Sequence, residues 1–269
     1  MNTFIGNSAL SSYLAKLTTS ALSHHAFLFV GPDHIGKSHV AKAWIQQLGK
    51  PECIFLDSTK EDGLRGLISV DDVRDCIDQL SRTTLSGAHR VIVIDRGDEL
   101  SESASNALLK SLEEPPANTL FIILTTDTAN VLPTILSRCF VVRFPLVPNS
   151  IITHSLGVVT VTDIRMACNR PGIATRLAFD AEASVQEKAR WEDVQYRATH
   201  SFADGAGRGD SLDRTDVERV ETLLSSELHE PEPHIPTERV IALYDALCVA
   251  HRYDRSHMNE SRMVESIFV

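Results

Sequence analysis

Short apolar runs alternate with helix-like stretches over the first 145 residues of the chain. The runs are rich in Val, Ile, Leu and Phe, and they lie at Ala26–Val30, Cys53–Leu56, Arg90–Ile94, Leu120–Thr125 and Phe140–Phe144. Nearly continuous apolar runs of this length are typical of strands that are buried on both faces of a parallel sheet.

Helical signals lie between these runs. They cover Lys37–Leu48, Asp71–Ser81 with Ser69 as its cap, and Ala104–Leu112, where the apolar positions recur at helical spacing. Strands and helices in alternation predict a right-handed, doubly wound α/β domain.

Pro145 and Pro148 end the alternating pattern. Residues 150–180 predict short helices with a break at 169–172, and the chain from Ala183 onward predicts helices separated by a glycine-rich segment at 204–210 and a proline-rich segment at 230–236. We therefore predict three domains: an α/β core over residues 1–148, a helical lid over 149–181 and an all-α domain over 182–269.

Composition narrows the function classes. The chain has 269 residues, of which 43% are hydrophobic and 23% charged, so it can bury a core. Its net charge is −10, with most of the acidic excess in residues 151–269, which argues against a strongly basic nucleic-acid-binding surface. We expect no membrane span and no secretory signal, because no long apolar run and no basic-then-apolar leader is present. The five scattered cysteines include no C-x-x-C pair, so we expect the protein to reside in a reducing cytoplasm.

The first apolar run leads directly into a phosphate-binding motif. Residues 31–38 read Gly-Pro-Asp-His-Ile-Gly-Lys-Ser, a complete G-x-x-x-x-G-K-[ST] match placed between a strand and a helix. Gly31 and Gly36 permit close approach of the backbone to a phosphate. Lys37 is expected to reach the β and γ phosphates of ATP, and the Ser38 hydroxyl to ligate Mg²⁺. The alternative is a turn of the same shape that holds no nucleotide.

A carboxylate follows the third apolar run. Asp95, at the end of Val91–Ile94, is predicted to hold Mg²⁺ beside the phosphate loop, or alternatively to cap the next turn. Hydrolysing relatives place a glutamate next, whereas this chain has Arg96, which cannot act as a general base. Asp98 and Glu99, a few residues further on, are the alternative bases. The sequence therefore predicts a site that binds ATP and hydrolyses it poorly or not at all.

Five strings carry a family resemblance. They are His25–Pro32 running into Gly36-Lys37-Ser38; Ile94-Asp95; Asn106–Pro116, which reads N-A-L-L-K-S-L-E-E-P-P; Leu132–Cys139, which ends in Ser-Arg-Cys; and Gly172–Arg176. Together they closely resemble the AAA+ clamp-loader family of DNA replication, and its delta-prime branch looks closest. The resemblance covers residues 1–180, and it implies an AAA+ P-loop core, a lid and a C-terminal helical collar.

The resemblance also implies residue roles. Arg138 would be an arginine finger that faces the ATP of a neighbouring subunit, with a surface salt bridge as the alternative. Thr125 and Thr126 would lie near the γ-phosphate, or would cap the strand end. Arg176 would contact nucleotide from the lid, or would be a solvated helix arginine. Phe4-Ile5-Gly6 would line the adenine or pack in the core.

One departure concerns metal. Many delta-prime subunits carry a four-cysteine zinc module between the phosphate loop and the acid-ending strand, whereas this chain has only Cys53 and Cys76 there. A pair of cysteines cannot supply four tetrahedral ligands, so we expect no zinc. The expected cofactor is ATP with Mg²⁺.

As the resemblance implies, the chain would be a clamp-loader subunit in a hetero-oligomeric ring with other clamp-loader subunits. The ring would load the sliding clamp onto primer-template DNA, which this subunit would meet indirectly. The competing interpretation is an active AAA+ ATPase, either a motor-type clamp-loader subunit or a relative of the Holliday-junction helicase. A small-molecule P-loop kinase is disfavoured by the Ser137-Arg138-Cys139 string and by the helical C-terminal third.

Overall fold

The computed structural model describes residues 24–49, 51–58, 66–81 and 89–199, with residues 5, 6, 10, 12–14 and 16 near the start of the chain. Contacts divide the chain into two compact units, residues 1–152 and 153–269. Residues 200–269 lie outside the described residues. The predicted loops at 204–210 and 230–236 fall there, and the three-domain division stays a prediction.

The first unit is a parallel sheet with helices between its strands. In chain order its elements are β1 (Ala26–Val30), α1 (Lys37–Gln47), β2 (Glu52–Leu56), α2 (Val70–Ser81), β3 (Arg90–Ile94), the 3-10 turn Gly97–Glu99, α3 (Glu102–Glu113), β4 (Thr119–Thr125), α4 (Pro133–Leu136) and β5 (Phe140–Arg143). The predicted α/β alternation is confirmed, with bounds that differ by a residue or two at some ends.

The strand order of the sheet is β2-β3-β4-β1-β5, and every pairing is parallel. Val30 is in register with Thr125, and Ile94 is in register with Ile123. The carboxyl ends of β1, β3 and β4 therefore meet at one edge of the sheet, which is where open α/β sheets bind ligands.

Helices cover both faces of the central strands. Successive side chains of a strand point to opposite faces. On one face, Leu28 and Val30 join a buried cluster that includes Val73 of α2 and Leu108 of α3. On the other face, Phe27 and Phe29 lie against Trp44 of α1, with ring centroids 4.9 and 6.2 Å away. All residues of β1, β3 and β4 are buried, as the apolar runs predict.

Local side chains fix where α2 begins. The Ser69 hydroxyl accepts a hydrogen bond from the Asp72 N–H at 3.2 Å, and the Ser69 N–H donates to the Asp72 carboxylate at 2.8 Å. This reciprocal arrangement satisfies amides that the first helical turn leaves without partners. The predicted cap at Ser69 is confirmed.

Two histidines directly before β1, His24 and His25, contact neighbouring elements of the first unit. The His25 ring bonds the Leu112 carbonyl, near the C-terminal end of α3, at 2.7 Å. The His24 ring lies 4.9 Å from the Phe140 ring, centroid to centroid. These contacts connect the start of β1 to α3 and to β5.

The described part of the second unit is helical. Helix α5 (Asn149–Leu156) runs across the boundary, and α6 (Val161–Ala167), α7 (Pro171–Phe179) and α8 (Ala181–Thr199) follow. The predicted break at residues 169–172 is confirmed only in part: α6 ends at Ala167, Cys168 and Asn169 have left-handed backbones, and α7 already begins at Pro171, so the break covers residues 168–170. No helix in the ranges given above is both long and apolar enough to cross a bilayer.

Candidate nucleotide-binding site

The phosphate motif forms the loop between β1 and α1. Gly36, the residue before the first helical position, has φ of 102°, and His34 also has a positive φ of 60°. Left-handed backbone of this kind is natural for glycine and unusual for other residues. The turn therefore presents its backbone in the conformation that the motif requires, and it leads straight into the N-terminus of α1.

Gly31 is required by packing. A Cβ atom there would lie 2.5 Å from the Phe144 carbonyl oxygen and 2.8 Å from the Phe144 Cβ. The Phe144 N–H donates to the Val30 carbonyl at 2.7 Å, so the two segments cannot separate without loss of this bond. Gly31 thus allows β1 to leave the sheet directly beside the end of β5.

Lys37 is buried and turned back onto its own loop. Its ammonium donates to the carbonyl oxygen of Gly31 and to that of Pro32, the latter at 3.0 Å. Its Nζ also lies 3.8 Å from the Asp33 carboxylate. Ser38 follows at the start of α1 and is half-buried. The structure therefore brings together the motif residues that the sequence selects, within one turn.

Asp95 comes directly after β3, and a second acid lies beside it. The Asp95 N–H donates to the Leu56 carbonyl at 2.8 Å, so Asp57, the next residue after β2, is its neighbour across the two strands. Burial raises the pKa of Asp95 and the like charge of Asp57 adds to this, while Lys37 and the Arg96 N–H oppose the rise. The carboxylate therefore lies within the electrostatic reach of the motif lysine.

Sequence reasoning missed Asp57. The available signal is its position immediately after an apolar strand, which is also the position of Asp95. Parallel strands bring such positions to the same edge of the sheet.

Arg96 connects β3 to the phosphate loop. Its guanidinium contacts the Asp33 carboxylate at 3.2 Å and the Glu99 carboxylate at 2.8 Å, and its side chain is only 21% exposed. Burial alone would lower the pKa of Arg96, but Asp33 and Glu99 outweigh this effect and raise it. The backbone of Arg96 is left-handed, with φ of 59°. The sequence analysis notes Arg96 only because it stands where hydrolysing relatives have a glutamate. It does not predict that Asp33 is the ion-pair partner of Arg96.

The two threonines at the end of β4 form different contacts. Thr125 is buried, and its hydroxyl donates to the Asp127 carbonyl at 2.7 Å, while its own carbonyl accepts from the Gly31 N–H at 3.2 Å. The Thr126 hydroxyl donates to the Asp98 carboxylate at 2.7 Å. Both threonines lie beside the loop; contact with a γ-phosphate stays a prediction.

Arg138 follows α4, at the surface of the first unit. Its guanidinium donates to the Thr134 carbonyl at 2.8 Å and to the Ser137 hydroxyl at 3.1 Å, and it forms an ion pair with Glu113. Arg138 is 32% exposed and Glu113 is 51% exposed. The side chain therefore lies along the surface.

Two further predicted positions have contacts within their own surroundings. In the second unit, Arg176 on α7 pairs with Glu187 of α8 at 3.1 Å. At the start of the chain, Gly6 has φ of 76° and its backbone lies against the Val147 side chain. Phe4 lies outside the described residues. A contact of Arg176 or of Phe4-Ile5-Gly6 with nucleotide stays a prediction.

The residues present fit Mg²⁺-nucleotide in part. Lys37, Ser38, Asp95 and the left-handed turn at Gly36 are the groups that would hold it, whereas the position after Asp95 carries a cation in place of a base. Within the described ranges, no three His, Cys, Asp or Glu side chains cluster as a metal site. Cys53 and Cys76 are free thiols, and burial raises the pKa of Cys76 to about 11. The expected absence of zinc stays a prediction.

These features define a class of protein, the AAA+ P-loop fold, and solved structures of that class resemble the chain. A DNA polymerase III gamma subunit-related protein from Thermotoga maritima matches with a TM-score of 0.56 and 16% identity, over 95% of this chain and 97% of that one. The RuvB Holliday junction branch migration motor from the same organism matches with a TM-score of 0.52 and 14% identity, over 99% and 83%. At these identities the likeness establishes the fold alone.

Sequence comparison then finds similarity to one family over part of the chain. Residues 45–148 match the model of the family described as "DNA polymerase III, delta subunit". The delta' subunit of Pseudomonas aeruginosa DNA polymerase III is 30% identical over 195 residues, which are 65% of this chain and 52% of that protein. The tau subunit of Salmonella typhimurium is 31% identical over 169 residues, 56% of this chain and 26% of that protein. The chain thus spans between a quarter and about half of these relatives, and it is similar to clamp-loader subunits of DNA polymerase III.

Proposed function

We propose that the chain is a delta-prime-like clamp-loader subunit. In this role it assists ATP-dependent loading of the sliding clamp onto primed DNA, as one member of a hetero-oligomeric ring in the cytoplasm. Similarity to delta' and tau subunits of DNA polymerase III supports the assignment. The clamp and the DNA are engaged through the ring as a whole.

One observation favours a subunit that hydrolyses ATP slowly over a motor subunit that hydrolyses it rapidly. The position next to Asp95 is Arg96, whose guanidinium is ion-paired with the phosphate loop at Asp33. The position directly after Asp95 therefore offers no carboxylate to act as a general base on an attacking water. The Asp98 carboxylate accepts from Thr126, and that of Glu99 accepts from Arg96. The chain therefore binds ATP with Mg²⁺ and turns it over slowly.

The same proposal gives Arg138 its role. An arginine supplied to a neighbour's triphosphate stabilises charge in the transition state and changes the rate by about 10³–10⁵-fold in comparable systems. Arg138 lies at the surface, and its partners there are exposed. The cost of releasing the side chain from such contacts is small, at most about 1 kcal/mol for the ion pair.

The test combines this chain with the other clamp-loader subunits of its source organism. We expect the isolated chain to hydrolyse ATP far more slowly than the assembly, and R138A to lower turnover by the assembly about 10³-fold. R74A is the matched control, because Arg74 is also an exposed arginine with an acidic partner, Asp71, at 3.4 Å. Full turnover by an assembly that carries R138A would refute the arginine-finger role.

The second candidate is an active AAA+ ATPase, either a motor-type subunit or a relative of the Holliday-junction motor. The complete phosphate loop and the likeness of fold to the RuvB motor favour it. Rapid ATP turnover by the purified chain alone, abolished by K37A, would establish this candidate in place of the first.

A further inference from the structure

Two cations converge on one carboxylate at the phosphate loop. Lys37, on the loop's own helix, lies 3.8 Å from Asp33, and Arg96, which is 63 residues further along the chain, lies 3.2 Å from it. Asp33 is the third residue of the loop that encloses phosphate in the motif. The Asp33 carboxylate thus lies between Lys37 and Arg96, with Oδ1 toward the lysine and Oδ2 toward the arginine.

The placement of Arg96 is built into the backbone. Its left-handed conformation, φ 59° and ψ 62°, is sparsely populated for a residue with a side chain. Such strain persists only where the surroundings enforce it, and it is concentrated at functional sites. Here the Asp95 carboxylate accepts from the Arg96 N–H at 3.0 Å, and Glu99 anchors the far side of the guanidinium at 2.8 Å. Glu99 therefore gives the guanidinium a second anchor that does not depend on Asp33.

We propose that Arg96 is a phosphate-binding residue of this chain's own nucleotide site and selects nucleoside triphosphate over diphosphate. The Asp33 carboxylate occupies the place of a phosphate oxygen between Lys37 and Arg96, and the terminal phosphate displaces it. The planar guanidinium is suited to this exchange because it binds carboxylate and phosphate oxygens with the same geometry. The inference rests on the proposed binding of ATP.

The exchange explains two charges that the motif itself does not need. Asp33 would repel a bound triphosphate if no cation balanced it, and Arg96 supplies that cation. A diphosphate lacks the group that would take over Arg96, so the ion pair with Asp33 remains. The Asp33–Arg96 ion pair therefore breaks only when a γ-phosphate is bound. The site distinguishes triphosphate from diphosphate without hydrolysing ATP rapidly, as expected of a subunit with Arg96 in place of a base.

Nucleotide titration of the full chain tests the inference, with Mg²⁺-ATP and Mg²⁺-ADP as probes and calorimetry as the readout. For R96Q we expect a loss of about tenfold in ATP affinity with little change for ADP, since a hydrogen bond to a charged group is lost. R96K should recover part of the ATP preference, because it keeps the charge and loses the planar fork. D33N, which weakens the internal competitor, should raise ATP affinity about threefold or more.

R74Q is the matched control, with the same change of residue and charge at an exposed pair. An ATP-to-ADP affinity ratio that R96Q leaves at the wild-type value would overturn the role of Arg96 while leaving nucleotide binding intact. Failure of both the wild-type chain and D33N to bind either nucleotide would instead refute the nucleotide site itself, and this inference with it.

Discussion

Glu113, the last residue of α3, forms an ion pair with Arg138, which lies two residues after the end of α4. Both belong to strings that carry the family resemblance, the N-A-L-L-K-S-L-E-E-P-P string and the Ser-Arg-Cys string. The guanidinium keeps two further acceptors, the Thr134 carbonyl and the Ser137 hydroxyl. Glu113 is therefore one of three partners that hold the arginine at the surface.

Removing Glu113 is expected to cost little stability and no function. An exposed ion pair contributes about 1 kcal/mol or less, so E113Q and R138A should each lower the free energy of unfolding by about that amount. Denaturant unfolding of the two single variants and of the double variant measures the coupling. In the reconstituted assembly, E113Q should keep ATP turnover while R138A loses it. A coupling of several kcal/mol, or equal losses of turnover, would contradict this account.

Restoring a carboxylate beside Asp95 is expected to increase ATP turnover. R96E places an acid where hydrolysing relatives have one, and general-base catalysis typically contributes about 10²–10⁴-fold. Initial rates of phosphate release by the purified chain at saturating ATP measure the effect, because loss of Arg96 also weakens ATP binding. R96Q is the control, because it removes the same cation without adding a base. Equal rates for R96E and R96Q would show that the absent base does not account for slow hydrolysis.

Gly31 should be intolerant of even a methyl group. The added Cβ of G31A would lie 2.5 Å from the Phe144 carbonyl, so either β1 or β5 must shift, at a cost of about 1–3 kcal/mol. G49A is the comparison, because nothing lies within 4 Å of its added Cβ and only the left-handed backbone is strained. Thermal unfolding should rank G31A below G49A. The reverse ranking would show that the close approach at Phe144 is readily relieved.

Neutralising Asp95 should stabilise the fold at neutral pH. The pKa of Asp95 is raised in the folded chain, chiefly by burial and then by Asp57, so folding disfavours the ionised form. The penalty is absent below the ordinary aspartate pKa of about 4 and develops as pH rises through the raised value. D95N should therefore increase the melting temperature at pH 7, and its advantage should fade on acidification. D75N, at an exposed position of α2, gives the baseline for loss of a surface carboxylate.

Near-continuous apolar runs made the strands predictable, because β1, β3 and β4 are buried on both faces and contain few polar positions. Gly36-Lys37-Ser38 was predictable as well, since one local segment forms the whole turn. The ion pairs Asp33–Arg96 and Glu113–Arg138 were not, because they join residues 63 and 25 positions apart. Such contacts depend on strand order and on the left-handed backbone at Arg96, which no local pattern specifies.

Strand order also dictates when the nucleotide site can form during synthesis. β4 lies between β1 and β3, so a nascent chain that ends before Thr119 holds the phosphate loop on a single strand and Asp95 on the separate β2–β3 pair. Among the described strands, the partners of β1 are β4 and β5, and both come later in the chain. Nucleotide can therefore assist folding of this subunit only late in translation, after most of the sheet has left the exit tunnel.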